Sequence, residues 1–296
     1  MTIEGFDKRD FPSLYRAASE AAARGQKVML RLTRLRLIFA ILAALSGVFY
    51  SVYSEGGAGR TFFASLSIFF FVAALSVEIL LLNERPDRTW QSARALTESI
   101  KTLSWKFVAC ADPFPKTMAL AEAESLFRAK LRELFSLHDV RVLPDEGRQV
   151  TDWMKSVRSA SLAHRTEIYM HHRVKAQRNW YVVRSRVARR SSLRFRISLI
   201  GLEVMGSIGA LLALIGFGFP DFGGVLASAI AGAVAWTGIR QFDNLAEAYA
   251  LTASELSLIS DSGSAMQTEQ EWSVYVNSAE QGISREHTMW LARRPH

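Results

Sequence analysis

Two carboxylates stand inside otherwise apolar stretches of the chain: Glu78 within Phe62–Leu82 and Glu203 within Ile197–Phe219. An ionised group in hydrocarbon is costly and faces either a partner or a water-filled cavity. Glu78 falls about one helical turn inside the charged end of its block, and Glu203 roughly two turns inside its own. Two readings stay open. In one, carboxylates from several subunits form rings at the inner mouth of a cation pathway, which makes Glu78, Glu203 and Ser207 candidate pore-lining residues. In the other the charges are spent in salt bridges, Glu203 with Arg240 and Glu78 with Arg34 or Arg36.

Other chemistry is sparse. The glycines between Ser54 and Gly59 lie between two apolar blocks, so they form a hairpin tip and not a phosphate-binding loop. His171 and His172 are adjacent on a predicted helix, where they point about 100° apart and could not easily share one metal. Cys110 is the only cysteine, which excludes an intramolecular disulfide and disfavours a cysteine metal site. No catalytic residue, metal or cofactor is expected. Gly224, Ser228 and Gly232, with Ala227, Ala231 and Ala235 beside them, form a small-residue stripe that lets membrane helices approach closely. It is the seam of its own hairpin or one between subunits. Arg34, Arg36, Arg184, Arg186, Arg189 and Arg190 read as a collar for anionic lipid headgroups, and the run from Arg184 to Arg190 could alternatively hold a regulatory ligand.

These residues need helices that cross a bilayer. The chain has 296 residues and a formal net charge of +8, with a pI near 9.8 and a mean hydropathy of +0.09. That average conceals four apolar blocks, at about 37–53, 62–82, 197–219 and 222–239, in an otherwise Arg-rich chain. Each approaches the ~20 residues that cross a hydrocarbon core of about 30 Å. The basic residues crowd the flanks of these blocks, as the positive-inside rule requires, which argues against nucleic acid as the partner. Short connectors pair the blocks into two hairpins. Arg24, Lys27, Arg31, Arg34 and Arg36 precede the first pair, and Arg85 and Arg88 follow it. Arg184 through Arg196 precede the second, and Arg240 follows it, whereas the tips carry only Arg60. Both termini and the central region are therefore expected in the cytoplasm of a bacterial cell, with the hairpins in its inner membrane. No cleavable signal peptide is expected, since the first thirty residues hold no long apolar run.

The fold class expected is all-α, with long helical extensions and no strand pattern. Asp87 to Cys110 is predicted to prolong the second span as one helix, ended by Pro113 and Pro115. Further helices are predicted over 119–137, 151–163, 166–196, 241–260 and 269–293, with a loop at 261–264. The order of basic helix, hairpin and helix occurs twice, and Ala95-Leu-Thr-Glu-Ser99 matches Ala250-Leu-Thr-Ala-Ser254 in four of five residues. Matching topology and matching segments point to a parallel duplication, with modules at 1–143 and 144–296. Carriers more often use inverted repeats, so a small transporter is the least favoured function.

Several segments resemble a known family. Trp90-Gln-Ser-Ala-Arg-Ala-Leu-Thr-Glu-Ser-Ile-Lys-Thr-Leu-Ser-Trp105, followed by Ala111-Asp-Pro113-Phe114, resembles the first part of the bacterial SLATT family. These are two-transmembrane effector domains that associate with SMODS and SLOG proteins. Arg173-Val-Lys-Ala-Gln177 with Trp180 and Tyr181 resembles the start of a second such module. Glu280-Gln-Gly-Ile-Ser-Arg-Glu286-His287 with Trp290 resembles its final helix. Trp90, Glu98, Trp105, Pro113, Trp180, Tyr181, Glu286, His287 and Trp290 carry the likeness, from about Pro12 to Arg294. The resemblance implies a homo-oligomeric membrane effector that opens a pore in a bacterial conflict or antiphage system, and it carries over no catalytic residues. No sensor domain accompanies the two modules, which points to a separate sensor or signalling protein as the trigger. The alternative is a non-conducting scaffold that recruits a cytoplasmic partner.

Overall fold

A computed structural model of the protein describes residues 7–53, 57–138, 140, 142, 146–216, 222–262 and 266–292, of which side chains 8, 262 and 285–292 are not described. Among the described residues every regular element is a helix, as an all-α membrane protein requires. The longer ones are α1 (Ser13–Val52), α2 (Ala58–Glu84), α3 (Pro86–Ala109), α4 (Leu120–Leu137), α5 (Asp152–Ser159) and α6 (Leu162–Tyr169). They continue with α7 (Ala176–Leu214), α8 (Gly223–Arg240), α9 (Phe242–Ser262) and α10 (Glu269–Ala292). Four of these helical stretches are long and apolar enough to cross a membrane. Of the tips, Ser54 to Gly56 and 217–221 lie outside the described residues, as do 263 and 264 of the expected loop, whose first two residues are still helical.

Contacts divide the chain into two compact units that cut across its sequence halves. The spanning unit comprises Lys27–Pro86 and Arg186–Ala246. Here α1 packs against both α2 and α8. Phe39 stacks on Phe70 and Phe49 on Phe63 of α2, and the Ser67 hydroxyl donates to the Ala43 carbonyl. A Cβ on Gly232 of α8 would meet Ile41 and Leu37 of α1, and one on Gly206 of α7 would meet Leu226 of α8. Large apolar side chains elsewhere point outward, among them Phe69, Phe71, Ile200 and Leu211. That surface suits hydrocarbon and would aggregate in water.

The core unit comprises Met1–Gln26, Asp87–Ser185 and Glu247–His296. Its centre is α3, whose Trp90, Leu96, Ile100, Leu103, Trp105 and Phe107 are all buried. Aromatic rings link the surrounding helices to it: Trp105 meets Phe11 and Tyr169 edge-on, and Tyr169 meets Trp272. Such pairs add about 0.5–1.5 kcal/mol each beyond burial. On α4, Ala123, Phe127 and Leu131 form the buried stripe, while Leu120 at its start stays exposed.

Three expectations about helix continuity are corrected. Span two does not run on into α3: Arg85 adopts a left-handed conformation at φ 40°, its N–H bonds to the Leu81 carbonyl, and Pro86 opens a new helix. Proline at a first helical position loses no hydrogen bond there, so it starts α3 well. Residues 151–163 are not one helix, because Ser161 accepts from the His164 N–H and caps α6 after α5 has ended. The long helix through 166–196 contains a π-helical segment, Met170–Lys175, between α6 and α7.

Candidate functional site

Within the spanning unit, the two intramembrane carboxylates sit in different surroundings. Glu78 forms an ion pair with Arg36 across α1 and α2, both partly exposed. Glu203 does not pair with Arg240 or with any other described residue: it lies on an outward face of α7, and no residue of the apolar stretch of that helix is buried. Ser207, one turn on, is also exposed and returns its hydroxyl to the Glu203 carbonyl at 2.9 Å. The two salt bridges considered from sequence thus part company, since one forms and the other does not.

Arginines at the ends of the spans divide similarly. Arg34 lies over the Trp236 ring at 4.9 Å, and Arg240 lies near both Trp236 and Phe242. Arg196 donates to Asp243 at 2.8 Å. Hydrogen bonds from Ser192 and then Arg196 hold the exposed Asp243 carboxyl below its ordinary pKa. Arg186, Arg189 and Arg190 are exposed, and none has a carboxylate within ion-pair distance among the described residues. In the small-residue stripe, Gly232 packs on α1, while Gly224 meets nothing within 4 Å. The seam at Gly232 therefore joins the two hairpins and does not close its own.

The core unit holds a buried ionic network that motif spacing alone did not reveal. Arg173 and Glu280 are 1% and 0% exposed. Arg173 donates Nε to Glu280 Oε1 at 2.8 Å and Nη2 to Oε2 at 2.6 Å. Tyr169 and Thr102 donate to the same carboxylate at 2.9 and 2.8 Å. Burial by itself would lower the Arg173 pKa, but the adjoining Glu280 charge outweighs it and holds it above the ordinary value. Tyr169 is pushed well up by burial and by Glu280. Arg173 sits in the π-helical segment, a local rearrangement frequent at functional positions. Both partners belong to the segments quoted above, Arg173-Val-Lys-Ala-Gln177 and Glu280 through His287, so family likeness was the signal that could have found them.

A second buried cluster closes the C-terminus of α3. Cys110 takes φ 58°, its N–H bonds to the Phe107 carbonyl, and Ala111 N–H bonds to the Lys106 carbonyl. This is a Schellman motif with cysteine where glycine is usual. Carbonyls at the helix end are met by Arg158, which donates to Phe107 and Phe114, and by Arg165 and Trp272, which donate to Ala109. Cations at a helix C-terminus also complement its dipole. The Ala111–Phe114 segment is thus explained as a packed cap, and burial pushes the Cys110 thiol up from its usual range.

Of the residues that carry the family likeness, Trp90, Trp105 and Tyr181 are buried. The side chains of Glu286, His287 and Trp290 lie outside the described ones.

Two helical hairpins suited to a bilayer, with a separately cored helical unit, define an all-α membrane protein. The chain belongs to the SLATT family: residues 12–166 match the SMODS and SLOG-associating 2TM effector domain 3, and residues 169–290 match domain 1. It therefore carries two tandem SLATT domains, two-transmembrane effector domains associated with bacterial conflict systems. No curated protein matches the chain, and no solved structure does.

Proposed function

We propose that this chain assembles into a homo-oligomeric pore in the bacterial inner membrane, and that Glu203 and Ser207 of α7 line it. The observation that carries this reading is Glu203, a carboxylate in a membrane span that faces away from its own subunit without a partner. Left in lipid, such a group costs about 2.5–3.5 kcal/mol or more. A water-filled lumen shared by several subunits removes that cost, and a ring of carboxylates there favours cations. Ser207 adds a polar group one turn along the same face.

Glu78 takes a different role in this account. Its pair with Arg36 neutralises both charges and fixes α2 to α1. The exposed Arg186, Arg189 and Arg190 bind anionic headgroups at the cytoplasmic surface, with the core unit in the cytoplasm. Both family matches are effector domains, so a separate signalling protein supplies the trigger.

The test is the reversal potential of the protein in planar bilayers under a salt gradient. Glu203→Gln should move it toward the non-selective value, because the ring loses its charge. Glu78→Gln should leave selectivity unchanged and lower thermal stability. An unaltered reversal potential in Glu203→Gln would remove that residue from the lumen.

A further inference from the structure

The core unit encloses a cavity of about 390 Å³ between α1, α3, α7 and α10. Its volume falls in the usual range for small-molecule sites, about 300–1,000 Å³. Trp90, Trp180 and Tyr181 supply aromatic walls. Trp90 and Tyr181 are buried, whereas Trp180 is 39% exposed and stands at the mouth. Tyr181 and Tyr249 both pack edge-on against Trp180, at 5.1 and 5.5 Å, and Arg184 lies 5.4 Å from its ring centre. The Trp180 ring is therefore held in place and still accessible.

The charges in the wall are Arg94, Lys101 and Glu98, an excess of one positive charge. Lys101 is the informative member. It is partly buried, and among the described residues no carboxylate lies within ion-pair distance of it. Its one hydrogen bond, to Gln177 Oε1, is long at 3.5 Å. Burial lowers its pKa, and Glu98 only partly offsets this. A desolvated ammonium whose neighbouring carboxylates only partly offset its burial costs free energy that a bound anion would recover. The buried Arg173–Glu280 pair cannot serve, because both Glu280 oxygens are already taken by Arg173, Tyr169 and Thr102.

We propose that this cavity is a binding site for a small organic monoanion bearing a flat ring, an aromatic carboxylate or its equivalent. The charge pairs with Lys101, and the ring lies against Trp180. The single excess positive charge selects a monoanion over a dianion, and the volume limits the ligand to a small acid. A ligand there touches all four helices at once, so occupancy stabilises their packing through mass action.

The experiment titrates the purified full-length protein, in a non-ionic detergent, with 2-naphthoate and with uncharged 2-naphthamide by isothermal calorimetry. The acid should bind saturably with one site per chain and at least about tenfold more tightly than the amide, as a charge-assisted hydrogen bond implies. Lys101→Met should abolish that advantage and leave amide binding unchanged. Because Trp180 is exposed, Trp180→Ala should fold normally and weaken acid and amide by a similar factor. Equal affinities for acid and amide, undiminished acid binding in Lys101→Met, or no saturable heat at all would each overturn the proposal. The readout is binding, so it stands or falls independently of ion flux.

Discussion

Glu280 gathers three donors into one dry site, and this makes it the most sensitive single residue of the core unit. Removing one charge of a buried pair leaves the other uncompensated, which costs about 3–5 kcal/mol. Glu280→Gln should accordingly lower the unfolding midpoint sharply in thermal melts. Arg173 Nη1 has no hydrogen-bond partner, so the network is incomplete and its desolvation is only partly offset. Replacing the pair together, Arg173→Met with Glu280→Leu, should then restore most of the lost stability. A double variant as unstable as the single would show that the pair contributes more than its charges.

Tyrosines give the same unit a pH dependence with a definite sign. Burial, aided by Glu98, pushes Tyr15 up to about 12, and burial pushes Tyr275 up to about 12. A pKa higher in the folded state than in the unfolded one means the native state holds the proton more tightly. The corresponding stability is complete below about pH 10 and is lost as pH rises toward about 12, on the order of 2–3 kcal/mol per tyrosine. Denaturant unfolding across that window should show the decline, and Tyr275→Phe should make it shallower.

At the scale of elements, Gly25 shows how closely α1 and α3 meet. A Cβ there would approach the Trp90 backbone nitrogen to 3.0 Å and its Cα to 3.1 Å. Backbone cannot swing aside as a flexible side chain does, so Gly25→Ala should destabilise by about 1–3 kcal/mol, read as a lower denaturant midpoint. Legibility from sequence follows the same physics. Apolar blocks with basic flanks made the four spans visible. The break at Arg85 escaped notice because the left-handed cap falls on arginine and not on glycine. The division between α5 and α6 rests on Ser161, one capping hydroxyl in a stretch of ordinary helix formers. The π-helical turn at Met170–Lys175 depends on burying Arg173 against Glu280, a long-range contact with no local periodicity.

Over the whole molecule, the duplicated plan is visible and so is its divergence. Both hairpins end in a left-handed residue, Arg85 or Gln241, whose N–H caps the preceding helix. Thr97 and Thr252 each return a hydroxyl bond to the carbonyl one turn earlier. Yet Leu96 is fully buried, whereas Leu251 is 55% exposed, so the matched segments no longer pack alike. The intramembrane carboxylates do not correspond between the modules either: Glu78 lies on the second span of its hairpin in an ion pair, and Glu203 on the first span of its own on an outward face. Sequence located both but could not separate their roles, because that distinction depends on which way α7 turns Glu203.

In the proposed function, the outward carboxylate on α7 faces the lumen of an oligomer that conducts cations. The most direct measurement is potassium flux from proteoliposomes, paired with the mass of the same preparation in detergent. The account predicts flux from a discrete multiple of the 33.1 kDa chain, reduced by Glu203→Gln. A silent monomer of 33.1 kDa would contradict it.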